Sequence, residues 1–172
     1  MACDFFDCDL FDRYRVNLPY PDVTVREANP YYAALLSGTY AGKGSETTAI
    51  AQYASHRYFL HDYPEIYTAY KYIAFTEMTH FSRLGNLILQ LGTYPKIYSY
   101  EDLRWWSGED PVYHRALRPI LESDIEGEHG AIAHYTRIIG QIPDESIQSL
   151  LRRIIMDEER HVEVLTQFYE GV

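Results

Sequence analysis

The sequence predicts an all-α protein, a four-helix bundle with one long crossover connection. Three observations carry this prediction. Apolar residues recur in alternating steps of three and four along three long segments, the mark of a buried helical face. No segment of useful length alternates with the two-residue period of a strand. The first and last links between helices are short, whereas the middle one is roughly 20 residues long, too long for a tight turn between antiparallel neighbours.

Each element has a local reason. Residues 1 to about 28 show no steady periodicity, and Pro19, Pro21 and the run Val23-Thr24-Val25 predict an extended N-terminal arm. Asn29-Pro30 reads as a helix start, with Asn as N-cap and Pro at the first helical position. Gly38, Gly42 and Gly44 interrupt the segment that begins there, so a short helix, a glycine turn and a restart at Ser45 running to His61 are expected. Tyr63-Pro64 punctuates the chain, and the second helix runs to Leu91, stopped by Gly92. Its stripe is Ile66, Tyr70, Ile73, Glu77, His80, Leu84, Leu87 and Leu91. A third helix is expected from about Val112 to Ile139, with stripe Leu117, Leu121, Ile125, Glu128, Ile132, Tyr135 and Ile139. After a turn at Pro143, the fourth carries Ile147, Leu151, Ile154, Glu158, His161, Leu165 and Phe168. The bundle domain thus occupies residues 29–172, preceded by an arm over 1–28.

Composition sets limits on function. A chain of 172 residues, 47% hydrophobic, can bury one sizeable core. A formal charge of -10 argues against a nucleic-acid or anionic-membrane partner, because both need clustered Lys and Arg. No apolar run approaches the roughly 20 residues of a spanning helix. The start MACDFFDCDLFDRYR is acidic and aromatic, unlike a secretory signal, so a cytoplasmic protein is expected. Cys3 and Cys8 are read as plain thiols, and Trp105-Trp106 as packing for the crossover. The 17 tyrosines and the unsupported arm point to a homodimer or larger homo-oligomer.

The stripes carry charges where apolar residues belong. Burying an unpaired carboxylate costs several kcal/mol, yet three stripes bury Glu and two bury His, with almost no Lys or Arg on the same faces. A metal is the economical counter-charge. Glu77 and His80, three residues apart, project from one side of a helix and reach one ion, and Glu158 and His161 repeat the spacing. With 14 Glu and 7 His a single Glu-x-x-His is close to chance; position in the stripe is what distinguishes these two from Glu126/His129.

An internal repeat supplies the remaining partners. Glu46-Thr-Thr-Ala-Ile-Ala-Gln-Tyr53 matches Glu128-His-Gly-Ala-Ile-Ala-His-Tyr135, and each Glu precedes its Glu-x-x-His by a similar distance, 31 and 30 residues. Two copies of one helix pair would bring four carboxylates and two imidazoles together, the arrangement of di-iron and di-manganese carboxylate sites. Glu126 is a rival for Glu128, but the two lie about 200° apart on a helix, and Glu128 is the one in the stripe and the repeat. Tyr53 and Tyr135 are either core residues or donors to the ligating carboxylates. His56, His114 and His134 are expected at the surface or behind the ligands.

Glu46, Glu77-x-x-His80, Glu128 and Glu158-x-x-His161 resemble the metal-binding pattern of the ferritin-like superfamily, which includes ferritins, rubrerythrins and manganese catalases. The resemblance covers about Asn29 to Tyr169. Within it, NPYYAALLSGTYAGKGSETTAIAQY is similar to the opening of manganese catalases, and MDEERHVEVL to the last helix of rubrerythrins. The chain departs from both. It carries no rubredoxin-like domain, has Ala131 where rubrerythrins tend to place an extra carboxylate, and is shorter than manganese catalases usually are.

The resemblance implies a ferritin-like bundle holding two metal ions per chain, Mn or Fe. It implies that Glu46 caps one ion and Glu128 the other, that His80 and His161 each supply an imidazole, and that Glu77 bridges. Glu158 would bridge as well or act as the catalytic proton-transfer base. The implied activity is redox chemistry on hydrogen peroxide, disproportionation with manganese or reduction with iron. The rival readings are iron oxidation by dioxygen for storage, and a structural assembly protein with a residual site.

Overall fold

The computed structural model describes residues 7–172; Cys3 lies outside them. The chain order is α1 (Cys8–Phe11), α2 (Pro30–Ala41), α3 (Glu46–Arg57), α4 (Pro64–Gln90), β1 (Tyr98–Ser99), β2 (Arg104–Trp105), α5 (Leu117–Ile139) and α6 (Glu145–Glu170). α3 packs chiefly on α4, and α5 on α6, so the bundle is two hairpins joined by the crossover that holds the small antiparallel β1–β2 ladder. The fold is an all-α four-helix bundle whose first helix is split into α2 and α3.

The starts and stops obey the expected chemistry. The Asn29 side chain accepts from Tyr32 N–H, Ser45 from Thr48 N–H, and Asp144 from Ser146 and Ile147 N–H. Gly92 adopts φ 84 after α4, a left-handed conformation open to glycine. At the break, Thr47 Oγ1 donates to the Tyr40 carbonyl at 2.7 Å and Thr48 Oγ1 to the Gly42 carbonyl at 3.3 Å, so carbonyls released by the interruption keep partners.

Two apolar clusters fill the two ends of the bundle. One includes Leu36, Leu84, Leu87, Ile138, Leu151 and Ile154; the other includes Leu60, Tyr70, Ile73, Leu121 and Leu165. Full burial of each such side chain stabilises the fold by about 1.5–3 kcal/mol. On α4 the clusters stop at Ile73 and resume at Leu84, and on α6 they stop at Ile154 and resume at Val164. The buried polar residues Thr76, Glu77, His80, Asp157, Glu158 and His161 occupy those gaps.

Several expectations need correction. The arm is not wholly extended: Asp7 caps the short helix α1. α5 begins at Leu117 rather than near Val112, because Val112 N–H donates to Gln52 Oε1 at 2.6 Å and His114 N–H to His56 Nε2 at 3.3 Å. Those side-chain bonds from α3 hold the segment extended in competition with the helix. α3 ends at Arg57, short of His61. On α5 the buried face is turned slightly from the expected stripe, so that Ile120, Asp124 and Ile138 are buried while Leu117, Ile125, Ile132 and Ile139 are half-buried. Phe168 on α6 is likewise half-buried. Of the tryptophan pair only Trp106 packs inward, its Nε1 donating to Thr48 Oγ1 at 3.0 Å, while Trp105 is exposed. Among the described residues no helix is long and apolar enough to cross a membrane.

Candidate metal centre

The six side chains singled out by stripe and repeat converge in the polar layer. Glu46, at the first position of α3, is 3% exposed; Glu77, His80, Glu128, Glu158 and His161 are equally buried. Glu46, Glu77, His80 and Glu158 can each offer an atom to one ion, and Glu77, Glu128, Glu158 and His161 to a second. Glu77 and Glu158 therefore belong to both groups, whereas Glu46 and Glu128 belong to one each.

The distances show how this is built. His80 Nδ1 lies 3.2 Å from Glu77 Oε2, 3.2 Å from Glu158 Oε1 and 3.7 Å from Glu46 Oε2. His161 Nδ1 lies 2.9 Å from Glu77 Oε1, 3.1 Å from Glu158 Oε2 and 3.5 Å from Glu128 Oε1. Each of the two central carboxylates thus turns one oxygen toward each imidazole. The two outer carboxylates are held by tyrosines from the opposite hairpin: Tyr53 donates to Glu128 Oε1, and Tyr135 to Glu46 Oε1. Both tyrosines therefore do more than fill the core.

The electrostatics of the cluster are those of a site short of positive charge. Burial raises Glu46 well above the ordinary carboxylate range, with Glu77 and Glu158 adding to the rise and His80 opposing it. Burial, Glu77 and Glu158 push Glu128 up to about 8. For Glu77 the burial penalty is outweighed by His161 and His80, which hold it well below the usual value. Both histidines are raised against their burial, His80 chiefly by Glu158 and Asp157, His161 chiefly by Glu77 and Glu128.

Both oxygens of Glu158, Glu77 Oε1 and both ring nitrogens of His161 are buried without an aligned hydrogen-bond partner among the described residues. Native proteins rarely leave such groups unpaired. Carboxylate and imidazole donors converging in this way suit Mn or Fe, and the cluster fits a dinuclear metal site. A cavity of about 390 Å³ leads to it, lined by Thr39, Lys43 and Ser45 at the helix break, by Glu126 on α5, and by Glu128 and Glu158 within.

Of the buried acids that escaped the sequence reading, two flank the cluster. Asp124 accepts from Gln52 Nε2 at 2.6 Å and Tyr70 OH at 2.7 Å, and pairs with His56 Nδ1 at 2.9 Å; His56 is buried behind the cluster. Asp157 lies 3.1 Å from His80 Nε2. Each is adjacent in sequence or space to a predicted ligand but lies off the strict stripe. The rival Glu126 and its neighbour His129 are exposed on α5. His134 is half-buried and pairs with Glu101 at 3.1 Å, away from the cluster, and His114 is exposed. Cys8 is a free, exposed thiol.

No protein-family model matches the sequence, and neither does any curated protein. Solved structures do match. A manganese catalase from Anabaena aligns with a TM-score of 0.82 at 21% identity, over 90% of this chain and 78% of that one. A bacterioferritin from Desulfovibrio desulfuricans, described with a diiron site, gives 0.70 at 24% identity, covering 94% and 82%. The bacterioferritin of Mycobacterium tuberculosis gives 0.67 at 25% identity, covering 84% and 87%. The likeness establishes the shared ferritin-like bundle.

Proposed function

We propose that the protein is a dinuclear manganese or iron oxidoreductase acting on hydrogen peroxide. The observation that carries this reading is the position of Glu77 and Glu158, each with one oxygen toward His80 and the other toward His161. In this reading Glu46 and His80 would hold one ion, Glu128 and His161 the second, and Glu77 would serve both. Two such ions would supply a two-electron couple matched to the O–O bond of peroxide.

The chain's own residues have separable parts. Tyr53 and Tyr135 fix the outer carboxylates. Glu158 alone of the four has neither oxygen in an aligned hydrogen bond, and it lines the cavity. We assign it as the carboxylate that takes protons from peroxide and returns them to the departing water. Two protons and two electrons leave one peroxide as dioxygen and reduce a second to two waters.

Exposed aromatic residues such as Tyr31, Tyr58 and Tyr94 support assembly into a homo-oligomer, and we place the protein in the cytoplasm. The test is elemental analysis of protein purified without added metal, followed by an oxygen electrode with peroxide. About two Mn per chain with oxygen evolution supports disproportionation; two Fe with peroxide consumed and no oxygen evolved supports reduction. Iron far above two per chain in a large shell favours storage, and metal bound without peroxide turnover favours a structural role; either overturns the proposal.

A further inference from the structure

We propose that the two ion positions are unequal, and that the N-terminal arm makes them so by bracing His80 through Asp157. The inference rests on the two-ion reading above. His80 turns Nδ1 toward the carboxylates and Nε2 away from them, 3.1 Å from Asp157 Oδ2. That fully buried aspartate also accepts from the Tyr20 hydroxyl at 2.5 Å and the Val16 N–H at 2.7 Å, and it forms an ion pair with Arg153 Nη1 at 2.7 Å. Arg153 in turn donates to the Val16 carbonyl at 2.5 Å and the Leu18 carbonyl at 2.9 Å, and its guanidinium lies 4.4 Å over the Tyr20 ring. Residues 16–20 of the arm are thereby fastened to the back of one imidazole.

Among the described residues His161 has no such brace, and its Nε2 is buried without a hydrogen-bond partner there. Thr76 precedes Glu77 as Asp157 precedes Glu158, so it stands at the corresponding position of the other hairpin. It gives its hydroxyl instead to the Tyr72 carbonyl, 3.2 Å away. A carboxylate receiving the Nε2 proton fixes the tautomer, orients the ring and makes Nδ1 a better donor, an effect worth about 10–100-fold in metal affinity. The position at Glu46 and His80 is therefore the tight one and fills first; that at Glu128 and His161 is the weak one. Coupling is reciprocal, so an ion on His80 must tighten the arm by the factor with which the arm tightens the ion.

The test is calorimetric titration of metal-depleted, full-length protein with Mn2+, alone and as the Tyr20→Phe variant. Two steps separated by about 10–100-fold are expected. Tyr20→Phe should weaken the tight step by roughly tenfold and shift the weak step by less than about threefold. One equivalent of Mn2+ should also slow tryptic cleavage after Arg15 in the unmodified chain, a measurement that does not depend on the variant folding. Two equal steps, a Tyr20→Phe effect absent or shared by both steps, or an unchanged cleavage rate overturns the inference while leaving the two-ion site intact. Failure to bind Mn2+ or Fe2+ at all overturns the two-ion reading and this inference with it.

Discussion

The two hairpins place equivalent carboxylates by different means. Glu128 sits in the middle of a continuous helix, with α5 running unbroken from Leu117 to Ile139. Glu46 opens α3 just past an interruption, with Ser45 as its cap and Gly42 to Gly44 behind it. The interruption costs the first hairpin several helical hydrogen bonds, and the cavity that reaches the cluster is lined at that place by Thr39, Lys43, Gly44 and Ser45. The comparison teaches that the broken half makes the way in, whereas the continuous half makes the wall. Asymmetry in a duplicated fold is here a matter of access.

The largest effect should come from removing a carboxylate from the continuous half. Glu128→Ala is expected to reduce Mn2+ or Fe2+ stoichiometry from two per chain to one or fewer, measured by elemental analysis after equilibrium dialysis, because Glu128 belongs to the His161 group. Glu126→Ala, two residues away on the exposed face, should leave the stoichiometry at two. The reverse result would transfer the ligand role to Glu126.

A second effect separates metal-free from loaded protein. Glu128, with an ordinary value of 4.5, is pushed up to about 8 in the folded metal-free chain, so the folded state holds this proton more tightly than the unfolded state. Its stabilising contribution is fully present below about pH 4.5 and is lost as pH rises through about 8. Raised His80 and His161 act in the same direction. Thermal unfolding in the presence of a chelator should therefore show stability falling by about 2–3 kcal/mol between pH 6 and 9. Glu128→Gln, which cannot ionise, should flatten that slope.

Much of this was legible in the sequence, for an identifiable physical reason. Glu77, His80, Glu158 and His161 occupy stripe positions where an apolar side chain is the default, so burial of charge could be read from periodicity alone. Glu46 and Glu128 became visible through the repeat. Asp157 was not, because it stands in the run Asp157-Glu158-Glu159-Arg160, which reads as a solvated face. It is buried between His80 on α4 and the arm, which folds back from more than a hundred residues away to reach it with the Val16 N–H and the Tyr20 hydroxyl. The start of α5 was missed for a similar reason: Gln52 and His56 reach across from α3 to take backbone N–H groups that a local pattern assigns to a helix.

The broken half can be tested at its glycines. A Cβ on Gly42 would lie 2.5 Å from the Gly38 carbonyl oxygen and 2.9 Å from Asp102 Oδ2. The first neighbour is backbone and cannot step aside without moving α2. Gly42→Ala is expected to cost about 1–3 kcal/mol in chemical unfolding. It should also weaken metal binding at the Glu46 position more than at the Glu128 position, since the strain falls at the start of α3.

The smallest effect lies in the continuous half and has the opposite sign. Gly130 sits within α5, and a Cβ there would meet nothing within 4 Å. Glycine inside an exposed helix is less favourable than alanine by about 0.5–1 kcal/mol, through the freedom it retains when unfolded. Gly130→Ala should therefore stabilise the isolated chain by that amount, raising its midpoint by about 2–4 °C. A helix that needed no glycine for its own geometry would gain from losing one, as Gly42 cannot. If Gly130→Ala instead lowers the midpoint or the mass measured by light scattering, the space above α5 is filled in solution by another copy of the chain. The glycine would then serve a close helix approach between subunits, and the continuous half would be the wall of an assembly as well as of the site.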